Sequence, residues 1–434
     1  MRIYISGISG TGMGPLALLA RDAGHEVFGS DLAKGAIYDE LVKAGIEVAV
    51  GEQDGKFLQE KLAKGVDWFA YTSALPKDHT ELVMAKESGI KVTKRDDLTE
   101  YLVEKLGLKM VAIAGTHGKT TTTSMIIWAS IKMGLPVAYV AGTTLGFSKS
   151  GAYHKGDKYF VYEADEYDRN FLRYHPWLAV IPVVSYDHPD IYPSREDYEE
   201  AFLQFKNQSD GVIEIKNDEV VYSTRDIKAD HRELYQPKDF KVAGNVRRVD
   251  AALAANAIYH IERNEFTEKG MIVDYDCATP KEIIDKFPGV GRRFERIMNG
   301  LYSDYAHHPE EIEATMGMAL EEAKTSGRKG VVVIYQPHQN VRQHEVRDKY
   351  RDVFVGASKV YWLPTYLVRE DPNLAVITPR EFVAQLSNRE VAEPAELSDD
   401  LAQKIYEYLN NDYLVVLMTA GPADEWLRKT FSAF

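Results

Sequence analysis

Short apolar runs, each followed by a glycine-containing turn and then an amphipathic stretch, recur along this chain. Arg2–Ser6, Trp68–Thr72, Met110–Ala114, Tyr159–Ala164, Leu178–Val184, Gly330–Tyr335 and Tyr413–Thr419 are such runs. A strand that is apolar on both faces needs cover on both faces, which is the condition of a parallel sheet flanked by helices. The stretches between the runs supply that cover. Leu16, Leu19, Ala20 and Ala23 share one side of a helix, as do Ile312, Met316, Leu320 and Ala323. The expected fold class is α/β.

The strand-and-glycine pattern starts afresh at Met110–Gly115 and again at Leu301–Ala306, after the turn-rich Phe287-Pro288-Gly289-Val290-Gly291. A chain of 434 residues makes about three domains at roughly 150 residues each. The breaks fall near 107 and 289, giving domains 1–107, 108–288 and 289–434. The polar, strand-like segment 209–243 reads as a sheet inserted within the middle domain. Acidic residues outnumber basic ones 66 to 52, a formal charge of −14, and no basic patch interrupts them. Such a surface repels nucleic acid and anionic lipid. The single cysteine, Cys277, excludes an intrachain disulfide and fits a reducing compartment. No apolar run approaches the roughly 20 residues that span a bilayer, and Met1–Gly7 runs straight into the first strand pattern. The expectation is a soluble cytoplasmic protein.

Arg2–Ser6 ends in Gly7-Ile8-Ser9-Gly10-Thr11-Gly12-Met13-Gly14 and a helix pattern. Backbone amides at such a turn suit a diphosphate, and a tight strand-to-helix turn without a ligand is the other reading. A second strand, Glu26–Gly29, leads to Ser30-Asp31, where an acid can accept from a sugar hydroxyl. The nicotinamide-dinucleotide fingerprint is not met, because Pro15 stands where its third glycine belongs.

A sharper signal is Ala112-Ile113-Ala114-Gly115-Thr116-His117-Gly118-Lys119-Thr120-Thr121, between a strand and the helix pattern of Ser124–Met133. Binding a triphosphate takes amides curled around oxygens, a cation and a hydroxyl for Mg²⁺. Gly115 and Gly118 permit the curl, Lys119 supplies the cation and Thr120 the hydroxyl. Downstream, Glu163-Ala164-Asp165-Glu166-Tyr167-Asp168 crowds carboxylates at a strand end, which repel one another unless a cation or solvent relieves them. Glu163, nearest the strand, is the metal candidate, and His188 in Tyr186-Asp187-His188-Pro189-Asp190 is a second-ion candidate.

Together these residues resemble the Mur ligase family of ATP-dependent amide-forming enzymes. The likeness continues through Thr72-Ser73-Ala74, Gly289-Val290-Gly291-Arg292-Arg293-Phe294-Glu295, Asp304-Tyr305-Ala306-His307-His308-Pro309 and Gln336-Pro337-His338 with Arg342. It implies a Rossmann-like N-terminal domain, a central P-loop ATPase-like domain and a Rossmann-like C-terminal domain. The last motifs resemble the branch that acts on UDP-N-acetylmuramate. In that branch the amine is L-alanine or the tripeptide L-Ala-γ-D-Glu-diaminopimelate. The resemblance implies that Gly10, Thr11, Gly12, Met13, Ser30, Asp31, Thr72 and Ser73 hold the UDP-sugar. It gives Gly115 to Thr121, Arg292 and Asp304 to ATP, with Asp304 on the ribose. It gives two Mg²⁺ ions to Thr120, Glu163 and His188, and the acyl phosphate and amine to His307, His338 and Arg342. A monomer or homodimer is expected, with the third domain closing on the others.

Several positions depart from the family pattern. Val246, Arg247 and Asp250 replace its adenine-gripping His-Asn and Asn, Val183 replaces an Asn, and Ala420-Gly421-Pro422-Ala423-Asp424 replaces Gly-Ala-Gly-Asp. The family's carbamylated lysine has no counterpart in Ala201–Phe205, with Lys206 just beyond. Two other function classes remain: a nucleotide-binding homologue without turnover, and a nicotinamide-dependent dehydrogenase resting on the first loop alone.

Overall fold

A computed structural model describes residues 1–188, 191–224, 234–269, 278–368 and 370–431. Cys277, Pro189 and Asp190 lie outside the described residues. The chain forms two compact units, Met1–Phe240 with Val249–Pro288, and Lys241–Arg248 with Gly289–Phe434.

The first unit carries two sheets. One contains β1 (Arg2–Ser6), β2 (Glu26–Asp31), β3 (Glu47–Val50), β4 (Trp68–Tyr71) and β5 (Lys91–Lys94) in the order β3-β2-β1-β4-β5. All its pairs are parallel. Successive side chains of a strand point to opposite faces, and here both faces are covered. Ile3, Ile5, Trp68 and Ala70 pack with Leu16 and Leu19 of the helix Gly14–Asp22, while Tyr4, Phe28 and Phe69 pack with Leu58 and Leu82.

The second sheet contains β6 (Lys109–Ile113), β7 (Val137–Val140), β8 (Gly151–Ala152), β9 (Tyr159–Glu163), β10 (Leu178–Ile181), β11 (Gly211–Lys216) and β12 (Glu219–Thr224). Their order is β12-β11-β10-β6-β9-β7-β8. Here one expectation is corrected. Among its described residues the segment 209–243 supplies no separate inserted sheet, because β11 runs parallel to β10 and turns back as β12, so the hairpin extends the central sheet. Polar edge residues gave it the look of a separate element. Lys206, at the end of the helix Arg195–Asn207, pairs with Glu214 of β11 at 2.5 Å.

The other unit holds β13 (Glu295–Met298), β14 (Leu301–Asp304), β15 (Val331–Gln336), β16 (Lys359–Trp362), β17 (Ala392–Pro394) and β18 (Leu414–Thr419). Their order is β13-β14-β18-β15-β16-β17, antiparallel only at β13. Val331, Val333 and Tyr335 enter one core, and Val332 and Ile334 the other. Trp362 stacks on Phe382 at 4.8 Å and meets Tyr335 edge-on at 4.9 Å. Pro288 and Gly289 are also where the units part, whereas the break expected at 107 lies inside the first unit, between β5 and β6. No helix among the described residues is long and apolar enough to cross a membrane.

Candidate active site

Parallel neighbours bring their C-terminal ends to one edge, and in the central sheet the chemistry-bearing residues follow those ends. β6 lies between β10 and β9, with Ile113 in register with Glu163 on one side and Val180 on the other. The loop 114–118, the carboxylates from Glu163 onward and the segment around His188 therefore converge.

The phosphate loop is braced from below. Thr116 donates its amide to Val183 O at 2.7 Å and its hydroxyl to Ser185 O at 2.6 Å, with the Tyr198 hydroxyl 2.8 Å away. The Thr116 side chain, expected on the nucleotide, therefore ties the loop to the segment after β10. His117 forms a bridge to Val183. Gly118 has φ +84°, and a Cβ there would meet Asp250 Oδ1 at 2.5 Å and Pro182 Cβ at 2.8 Å. Gly118→Ala is expected to cost about 2 kcal/mol of stability through strain and overlap. A variant melting with the parent would show that the loop has room.

Lys119, at the start of the helix Lys119–Met133, folds back over this loop. Its ammonium donates to Gly115 O and to both Glu166 oxygens, at 3.0 and 2.8 Å. The Thr120 hydroxyl donates to Glu163 Oε2 at 3.1 Å, and the Gly142 amide to Glu163 Oε1 at 3.0 Å. A Cβ on Gly142 would come within 2.8 Å of Glu163 Oε1, so glycine lets the carboxylate lie against the chain after β7. Thr121 is half-buried beside Thr120.

His188 has φ +58° and places Nε2 3.7 Å from Glu166 Oε1 and 3.7 Å from Asp187 Oδ2. Burial alone would lower the His188 imidazole, but Glu166 and Asp187 outweigh it and hold it above the usual histidine range. Burial alone would raise the Glu166 carboxyl, yet Lys119 and His188 hold it below the usual range. Sequence reasoning placed Glu166 in a motif without a task, took Asp250 only as a departure from an adenine contact, and missed Gly142. Asp250 accepts from the buried Thr122 hydroxyl at 3.2 Å. The signal for Glu166 was its spacing: three residues past the strand end, it turns back under the loop.

The first glycine loop is tied to β2. Gly7 and Ile8 donate to Ser30 O at 2.9 and 3.1 Å, and Ser9 donates to Asp31 Oδ2 at 2.8 Å. Gly10 and Thr11 are exposed and Gly12 is half-buried, which leaves backbone facing outward. Thr72 lies beside Gly7, and Ser73 is exposed. Two side chains expected at the UDP-sugar are enclosed. Met13 is in the core, and the buried Ser30 hydroxyl donates to Glu81 Oε2 at 2.6 Å. Arg95 Nη1 lies 3.2 Å from where a Gly12 Cβ would stand, a cation beside the loop that the sequence did not announce.

In the other unit, the edge formed by β14, β15 and β18 gathers a second set. His307 Nε2 is 2.8 Å from Arg342 Nη1, and its Nδ1 is 3.1 Å from both Glu311 Oε2 and Tyr305 O. Arginine has no acceptor, so Nε2 carries the lone pair and Nδ1 the proton. The His338 ring stands edge-on to His307 at 5.8 Å. The Tyr335 hydroxyl, rising from the aromatic core, donates to His307 O at 3.1 Å.

Two further residues expected at ATP have partners within their own unit. Asp304, expected on a ribose, is buried and accepts from the Phe294 and Ala306 amides at 2.6 and 2.8 Å and from the Thr315 hydroxyl at 3.1 Å. Arg292, expected on ATP, donates to Thr419 O at 2.7 Å and lies 4.6 Å over the Tyr305 ring. Both hold loops from behind, because polar motif residues at strand ends serve backbone satisfaction as readily as ligands.

The chain matches the model of the Mur ligase family catalytic domain over residues 2–105 and that of the Mur ligase middle domain over 113–268. It is 31% identical to the UDP-N-acetylmuramate–L-alanine ligase of Carboxydothermus hydrogenoformans, covering 97% of this chain and 94% of that one. It is 30% identical to the ligase of the same name from Lactobacillus delbrueckii subsp. bulgaricus, covering 93% of each. Among solved structures it resembles the UDP-N-acetylmuramate-alanine ligase of Thermotoga maritima, with TM-score 0.73, 22% identity, and 100% and 99% of the two chains covered. It also resembles a murein peptide ligase of Psychrobacter arcticus, with TM-score 0.57, 22% identity, and 100% and 98% covered. Near-complete coverage at this identity, with both family models matched, makes the chain a member of the Mur ligase family.

Proposed function

We propose that this chain is the ATP-dependent ligase that joins UDP-N-acetylmuramate to L-alanine in peptidoglycan synthesis, acting in the cytoplasm. The observation that carries the reading is the convergence of Lys119, Thr120 and Glu163 at the adjacent tips of β6 and β9. Relatives bearing that activity in their names, aligned over nearly the whole chain, support it. We assign 1–107 to the sugar nucleotide, 108–288 to ATP and 289–434 to the amino acid.

Magnesium fits the Thr120–Glu163 pair, two hard oxygens 3.1 Å apart. No group of three or more His, Cys, Asp or Glu that could hold a metal gathers among the described residues. Phosphate oxygens and water would complete the shell, as magnesium prefers. Bound there, magnesium would neutralise charge on the triphosphate. We assign a second ion to His188, although imidazole is an unusual magnesium donor.

The muramate carboxylate oxygen attacks the γ-phosphorus, the bond to ADP breaks, and an acyl phosphate forms. The amine nitrogen then attacks the acyl carbon, and a tetrahedral intermediate expels phosphate as the nitrogen loses its proton. Catalysis here is positioning and charge neutralisation. Lys119 eases the approach of one anion to another, with the amides of Gly115, His117, Gly118 and Thr121 around the phosphates and Thr116 bracing the loop beneath them. The outward backbone of Gly10, Thr11 and Gly12 takes the UDP diphosphate, with Asp31, Thr72 and Ser73 on the sugar side. Arg342 and His338 meet the acyl phosphate and amine, with His307 fixed between Arg342 and Glu311.

Phosphate release is expected only when ATP, Mg²⁺, UDP-N-acetylmuramate and L-alanine are all present. Release indifferent to the amine would overturn the reading, and faster release with the tripeptide would reassign the amine.

A further inference from the structure

The phosphate loop's cation is already engaged by an anion from its own chain. Glu166 is almost completely buried, and both its oxygens lie within 3.0 Å of Lys119 Nζ. The Tyr192 hydroxyl donates to Glu166 O at 2.6 Å, which fixes the backbone that delivers the carboxylate. His188 Nε2 stands 3.7 Å from the same carboxylate. We propose that Glu166 is the resident anion of the phosphate site, a positioning residue that holds Lys119 against the loop and competes with an arriving phosphate for it. This rests on the reading of Lys119 as a triphosphate cation.

The competition has a defined sign. A phosphate drawn to Lys119 also meets the buried carboxylate behind it, and like charges brought together without a counter-ion repel strongly. A divalent cation arriving with the nucleotide removes that repulsion. Glu166 thus makes nucleotide retention depend on the cation: ATP alone is disfavoured, and ATP with magnesium is accepted.

The test is calorimetric titration of the full chain with ADP, first in EDTA and then with excess Mg²⁺, on the parent and on Glu166→Gln. Glutamine keeps the shape and removes the charge. The variant is expected to bind ADP at least about tenfold more tightly than the parent in EDTA. With Mg²⁺ the variant's advantage should shrink or reverse. Equal or weaker binding by Glu166→Gln in EDTA would overturn the proposal and leave Glu166 a brace for Lys119. Glu166→Asp, which keeps the charge, should follow the parent, and tighter binding in EDTA by that variant too would also overturn it. Failure of the parent to bind nucleotide under either condition would instead sink the underlying functional reading.

Discussion

Replacing Lys119 with alanine is expected to lower turnover by at least about a thousandfold, because one charge aimed at the transferring phosphoryl group is lost. The same change leaves Glu166 buried without its ammonium partner, with His188 3.7 Å away. Breaking a buried pair one-sidedly destabilises. Since Lys119 itself is partly exposed, the expected cost is about 2 kcal/mol. The double variant Lys119→Ala/Glu166→Gln should recover most of that stability and none of the turnover. Urea melts and steady-state phosphate release on the four proteins of the cycle separate the two effects. A Lys119→Ala enzyme running near the parental rate would remove the phosphate loop from the chemistry.

Asp304→Ala is expected to cost about 3 kcal/mol, since two backbone amides and the Thr315 hydroxyl would lose their acceptor inside a core. Hydrogen exchange should locate the loss at the Phe294 amide before β13 and the Ala306 amide after β14. Burial lifts the Asp304 carboxyl above the usual aspartate range, with Arg293 and the two amides opposing. A raised folded-state pKa means the contribution is complete below the unfolded value of about 3.9 and declines as pH rises through the folded value. The stability gap between the parent and Asp304→Asn should therefore be widest at acid pH and narrow toward neutrality. A gap that widens with pH would reverse the assignment.

Much of the architecture was legible because strands buried on both faces leave an unbroken apolar signature. Arg2–Ser6 was read to the residue, and the runs at Tyr159 and Leu178 began where β9 and β10 begin. Short edge strands such as Lys91–Lys94 and Gly151–Ala152 carry too few apolar residues to stand out. At the site, Lys119, Thr120 and Glu163 were legible from glycine spacing and strand ends. The internal partners of Ser30, Asp304 and Arg292 were not legible, because a motif gives residue type, while the direction a side chain faces is set by tertiary packing. Ser30 answers to Glu81, from a distant helix, and Arg292 to Thr419, 127 positions away. Asp250 was read as a lost adenine contact, and it packs beneath Gly118, a relation that needs the helix Asn245–Lys269 in place.

The central claim is that a carboxylate, and not water, receives the phosphoryl group. UDP-N-acetylmuramate carrying heavy oxygen in its carboxylate, turned over with ATP, Mg²⁺ and L-alanine, tests it by mass spectrometry of the released phosphate. The account predicts one heavy oxygen in each phosphate formed; unlabelled phosphate appearing alongside amide product would contradict it.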